Sequence, residues 1–92
     1  MNESEYYVYI LECEDGSLYT GISTDPNRRF EEHKSGKLGA KYTKAHKPIK
    51  IIYTEHCKNR SEASKREYEI KQMTKAQKIE LVQSYKKSAS KT

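Results

Sequence analysis

Tyr6-Tyr7-Val8-Tyr9-Ile10-Leu11-Glu12-Cys13-Glu14-Asp15-Gly16-Ser17-Leu18-Tyr19-Thr20-Gly21-Ile22 is the stretch whose reading decides the fold. Its two ends are β-branched and aromatic and carry no proline, a composition that suits strands better than a helix. Between them, Glu14-Asp15-Gly16-Ser17 is a tight-turn signal, because Gly16 is free to take a positive φ. The stretch is therefore predicted to be a β-hairpin. Its register matters, since alternate residues of a strand point to opposite faces. A two-residue loop would put Tyr9 and Tyr19 on opposite faces. A three-residue loop, Glu14-Asp15-Gly16 with Gly16 left-handed in a bulge, pairs Cys13 with Ser17 and Leu11 with Tyr19, so that Tyr9 and Tyr19 share a face. The three-residue form is the expectation.

Downstream of the hairpin, Ser23-Thr24-Asp25-Pro26 reads as a helix start. Asp25 can cap the free amides and Pro26 suits the first helical position. That helix is expected to run to about Ser35 and stop at Gly36. Arg29 and His33 are four residues apart and so share one of its faces. Residues 36–48 form a loop rich in Lys37, Lys41, Lys44 and Lys47, with Tyr42 and His46 and no acid. Such a segment can track a phosphate backbone, its lysines neutralising charge and its aromatic ring stacking on a base. A flexible solubilising loop is the plain alternative.

Ile49 to Thr54 reads as a third strand with Ile49, Ile51 and Tyr53 alternating on one face, and Pro48 ahead of it suggests a sheet edge. A helix follows, for which Ser61 is the expected cap. Its stripe of Ala63, Glu67, Ile70 and Met73 puts Glu67 in the middle of the face that should meet the core. A carboxylate there is costly unless paired or bound to metal. Thr74 can cap a last helix carrying Ile79, Leu81 and Val82. Residues 84–92 hold three lysines and three serines and are expected to be a disordered basic tail beyond a domain spanning 5–83.

Composition bounds the rest. At 92 residues the chain is expected to be one small domain. Only 34% of residues are hydrophobic, against about 45–50% in ordinary globular proteins, so the eight tyrosines must supply much of the core. Residues 1–25 hold six acids and no Lys or Arg, while residues 26–92 hold all 18 basic residues against seven acids. That asymmetry points to a polyanion approached from one side, with a solvated lysine-rich surface as the alternative. Cys13 and Cys57 have no metal-ligand spacing and read as ordinary thiols in a reducing compartment. No run approaches a membrane span or signal sequence, so no membrane partner is expected and the location is read as cytoplasmic.

Tyr7-Val8-Tyr9 and Tyr19-Thr20-Gly21, with Arg29 ten residues after Tyr19, His33 four further on, and Glu67 on a later helix, resemble the motif set of the GIY-YIG nuclease family. The likeness runs over roughly residues 6–82 and extends to Asp25-Pro26-Asn27-Arg28-Arg29-Phe30 and to Gly39-Ala40-Lys41-Tyr42-Thr43. Small stand-alone bacterial members share those features. Tyr7 replaces the first glycine of the name-giving motifs, Thr20 replaces an isoleucine, and Ile22 stands where the DNA-repair excision members carry lysine.

The resemblance implies an α+β fold: a small three-stranded antiparallel sheet flanked by helices, in the order β-β-α-β-α-α. It also implies hydrolysis of a phosphodiester with one divalent cation, Mg²⁺ or Mn²⁺, anchored by Glu67. Arg29 would neutralise charge on the phosphate. Tyr9 and Tyr19 would meet the attacking water, Tyr19 as base and Tyr9 in support. His33 would serve as a phosphate contact or as a helix-end histidine. The expected partner is nucleic acid, DNA ahead of RNA, with a partner protein as one source of specificity; the chain itself is expected to be a monomer or weak dimer. Two readings compete with a nuclease: a nucleic-acid-binding module without useful turnover, and a protein-interaction domain.

Overall fold

Gly16 adopts φ 84°, and the hairpin closes through the three-residue loop. The amide of Cys13 donates to the carbonyl of Ser17 (2.9 Å) and that of Gly16 to the carbonyl of Cys13 (2.9 Å). The structure is a computed structural model that describes residues 5–35 and 46–89. Strand β1 (Tyr6–Cys13) pairs antiparallel with β2 (Leu18–Ser23), Leu11 opposite Tyr19 and Tyr9 opposite Gly21. Tyr9 and Tyr19 therefore project from the same face.

Helix α1 (Pro26–Ser35) begins as its sequence dictates, with the amide of Arg28 donating to Asp25 Oδ1 (3.2 Å). Strand β3 (Pro48–Cys57) then pairs antiparallel with the other side of β1, giving a sheet of order β2-β1-β3. β3 is an edge strand, but the alternation expected for it does not hold. The register slips between Ile10 and Leu11 and again between Glu12 and Cys13, so that Ile52 and Ile49 have no opposite number on β1. Each bulge inserts one residue and turns the following side chain to the other face. Ile51 lies opposite Leu11, Tyr53 opposite Ile10, and Ile49 is left 51% exposed.

Helices α2 (Arg60–Lys71) and α3 (Lys75–Ala89) complete the order β-β-α-β-α-α. The cap of α2 is Asn59, whose Oδ1 accepts from the amide of Glu62 (2.9 Å), rather than Ser61, which lies inside the first turn. Asparagine is at least as good a cap as serine. Thr74 caps α3 in a reciprocal box with Gln77, through contacts of 3.1 Å and 2.9 Å. α3 also continues past Ser84, where composition puts the start of a disordered tail, and is helical to Ala89. The Tyr85 ring meets that of Tyr53 edge-on at 5.2 Å, a tertiary contact that anchors a segment of low intrinsic hydrophobicity.

The sheet divides its side chains between two layers. Val8, Ile10 and Tyr53 pack with Ala63, Ile70 and Val82 of α2 and α3 in the hydrophobic core. Tyr9, on the alternate face, meets α1 through His33. Arg66 ties α2 to β3 through Glu55 (2.9 Å). Cys13 and Cys57 are both free and buried. Among the described residues no helix is long and apolar enough to cross a membrane.

Candidate active site

Tyr9 sits on the central strand and is 2% exposed. Its hydroxyl lies 3.1 Å from Nε2 of His33, itself 4% exposed, on α1. Tyr19 completes a triangle of rings, 6.4 Å from Tyr9 and 5.0 Å edge-on from His33. Three aromatic rings fit so closely because Gly21, opposite Tyr9, has no side chain: a Cβ there would lie 2.6 Å from the Tyr9 hydroxyl oxygen and 3.3 Å from Cε2 of Tyr19.

Arg29 reaches the same place from one turn earlier on α1. Its Nε is buried and has no hydrogen-bond partner among the described residues; Glu32 Oε1 stands 3.7 Å away, beyond hydrogen-bonding reach. A guanidinium held with a donor unsatisfied is suited to receive an anion. Glu67, on α2, supplies the opposing carboxylate. Its side chain is 24% exposed, and Oε2 is 3.2 Å from the ammonium of Lys71, one turn on.

Tyr9, Tyr19, Gly21, Ile22, Arg29, His33 and Glu67 line one cleft of about 250 Å³. The structure thus brings together all five side chains for which sequence suggests catalytic roles, drawn from β1, β2, α1 and α2. Their electrostatics are set by burial. Burial first, and the neighbouring Tyr19 second, push the Tyr9 phenol well above its ordinary range, with Arg29 acting in the opposite sense and Glu67 adding to the rise. Tyr9 is therefore a neutral hydroxyl at physiological pH. Burial, and after it the charge of Arg29, pull His33 below its ordinary value, so the imidazole is neutral too.

Among the described residues no three His, Cys, Asp or Glu converge as a metal cage. The cleft offers one carboxylate with phenolic oxygens around it. This donor set does not suit Zn²⁺, which takes several nitrogen or sulfur ligands, and does suit a hard cation that keeps most of its waters.

The other residues with expected binding roles lie elsewhere. His46 pairs through Nδ1 with Asp15 Oδ2 at the hairpin turn, and the Lys47 carbonyl accepts from the amide of Glu14 (2.8 Å). Neither lines the cleft. Lys37, Lys41, Tyr42 and Lys44 fall outside the described residues. Sequence reasoning passes over Lys71, which pairs with Glu67 and whose four-residue spacing from it is a legible ion-pair signal. Ile22, which stands where the excision members carry lysine, gives the cleft an apolar wall at that position.

Comparison with known proteins agrees with this arrangement. The GIY-YIG catalytic domain matches residues 5–80. A UPF0213 protein of Desulfotalea psychrophila is 49% identical over 85 residues, covering 92% of this chain and 77% of that one. A UPF0213 protein of Staphylococcus epidermidis is 51% identical over 79 residues, covering 86% and 95%. Two solution NMR structures are similar: a UPF0213 protein from Bacillus halodurans (47% identity, TM-score 0.55, 86% of this chain and 83% of that one), and a protein from E. faecalis (44%, TM-score 0.60, 91% and 88%). With its two tyrosine motifs, arginine, histidine and glutamate lining one cleft, the chain belongs to the GIY-YIG family, in company with small UPF0213 proteins.

Proposed function

We propose that this protein is a divalent-metal-dependent endonuclease that hydrolyses phosphodiester bonds of DNA, directed by the shape of its substrate. The observation that carries this reading is the single cleft into which Tyr9, Tyr19, Arg29, His33 and Glu67 converge. GIY-YIG nucleases generally use divalent metals, and the one carboxylate of the cleft fits Mg²⁺ or Mn²⁺. A cation held by Glu67 would polarise the phosphate and supply bound water.

The chain's own residues account for the remaining steps. Arg29 has a buried donor without a partner and binds a non-bridging phosphate oxygen, neutralising the charge that builds in the transition state. Tyr9 stays protonated through burial, so the base role passes to Tyr19, the less buried phenol of the pair. His33, neutral and 3.1 Å from the Tyr9 hydroxyl, fixes that hydroxyl's direction. Nucleic acid is the partner that both the family and the basic downstream portion of the chain favour.

The test is direct. Pure protein is incubated with single-stranded, duplex and forked DNA, and with RNA, in Mg²⁺, Mn²⁺ or chelator, beside Glu67→Gln and Arg29→Ala. Cutting of DNA is expected only with metal and is lost in both variants. Cutting that persists in Glu67→Gln, or in chelator, would overturn the reading.

A further inference from the structure

A second polar pocket, of about 360 Å³, shares Ile22 and Arg29 with the cleft and is completed by Tyr6, Ser23, Thr24 and Arg60. Two guanidinium groups, two aliphatic hydroxyls and a phenol line it, and no carboxylate does. The catalytic cleft, by contrast, contains Glu67. The two spaces therefore differ in chemistry: one has the carboxylate needed for a cation, the other has no carboxylate and several donors for an anion.

Arg60 is the first residue of α2 and takes part in no ion pair among the described residues. Ser23 is 2% exposed, and its Oγ accepts from the amide of Asp25 (2.9 Å), which leaves the hydroxyl proton to donate. The nearby Asp25 carboxylate is engaged as the cap of α1. Along α2, Arg60, Ser64, Glu67 and Lys71 fall on one stripe. Arg60 lies seven residues before Glu67, about 10 Å along the axis at the helical rise. An anion held by Arg60 is thus beside the place of cutting rather than in it.

We propose that this pocket is a second phosphate subsite, holding the phosphodiester next to the one that is cut, on the same strand. Arg60 is its own ligand and Arg29 is shared between the two phosphates. The proposal rests on the reading of the cleft as a nucleic-acid site. It makes the protein a reader of an extended backbone, in which one strand places successive phosphates in adjoining pockets.

The experiment measures equilibrium binding of a labelled single-stranded oligodeoxynucleotide by the full chain in chelator, across a range of salt concentrations. Wild type is compared with Arg60→Ala and Arg60→Lys, and the unfolding midpoint of each is recorded. Arg60→Ala is expected to bind several-fold more weakly near 0.1 M salt, and its log–log salt slope to fall by roughly 0.7, the value of one phosphate contact on a single strand. Arg60→Lys keeps the slope and loses part of the affinity, because an ammonium retains the charge but not the fork. An Arg60→Ala protein with the slope of wild type overturns the subsite, even if affinity falls, since a structural defect would not change the number of phosphates contacted. That result beside intact cutting by wild type removes the subsite alone. Binding with the expected slope change but no cutting in metal removes the nuclease reading and leaves the subsite standing. A wild type that does not bind overturns both.

Discussion

A Cβ on Gly21 would stand 2.6 Å from the hydroxyl oxygen of Tyr9 and 2.8 Å from its Cζ. The two residues are cross-strand partners, so neither can retreat without breaking the β1–β2 ladder. Gly21→Ala should therefore displace the Tyr9 ring and separate it from His33. Overpacking of this kind costs about 1–3 kcal/mol, and a shift of the ring by about 1 Å should reduce cutting about 100-fold. Urea unfolding and cleavage rates check the two effects separately.

Thr20, one residue earlier, faces the core opposite Ile10 and is 3% exposed. Its Oγ1 has no hydrogen-bond partner among the described residues. Replacing a buried, unsatisfied hydroxyl by a methyl group of the same shape removes a desolvation penalty. Thr20→Val is expected to raise stability by about 1 kcal/mol and leave cutting unchanged. A lower unfolding midpoint would show that the hydroxyl is satisfied in solution.

Arg29 is set apart by a donor kept buried and unmatched. Its removal should cost little stability, because Glu32 at 3.7 Å is its salt-bridge contact and that pair is partly exposed. Cutting should fall about 10²–10³-fold in Arg29→Ala, the range for loss of one transition-state donor. Arg29→Lys should not restore it, since lysine lacks the paired planar donors. Single-turnover rates with saturating enzyme isolate this effect from binding.

His33 makes the fold sensitive to acid. Burial and Arg29 hold it below its ordinary value of 6.5, so as the pH falls below that value the unfolded chain takes up a proton that the folded chain refuses. The stability contributed by keeping it neutral is complete above about pH 6.5 and is lost as the pH falls towards the folded value. The unfolding midpoint should drop between about pH 7 and 5.5 by more in wild type than in His33→Gln, which retains a hydrogen-bonding group beside Tyr9. Equal drops would assign the acid sensitivity to other groups.

The start of α2 gives a test independent of function. Asn59 Oδ1 accepts from the Glu62 amide at 2.9 Å, whereas Ser61 lies within the helix and is exposed. Asn59→Ala should cost about 1 kcal/mol. Ser61→Ala should be close to neutral, since serine is the weaker helix former. Thermal unfolding of the two variants distinguishes the caps.

Much of the candidate site is legible in the sequence because it is made of local rules. The Gly16 turn sets the register that turns Tyr9 and Tyr19 to one face, and Asp25-Pro26 starts the helix on which Arg29 and His33 share a side. These choices depend on turn chemistry, capping and a four-residue repeat, each confined to a few neighbouring residues. What the chain alone does not show is decided by contacts between segments distant in sequence. The bulges at Ile49 and Ile52 arise only where β3 is fitted to β1, Tyr85 helps to hold its helix in place by meeting Tyr53 and Thr54, and His46 is drawn to the hairpin turn by Asp15. The shifted titrations of Tyr9 and His33 belong to the same class: nothing in the sequence marks either side chain as unusual, and it is burial between the sheet and α1, aided by Tyr19 for the phenol and by Arg29 for the imidazole, that raises the one and lowers the other.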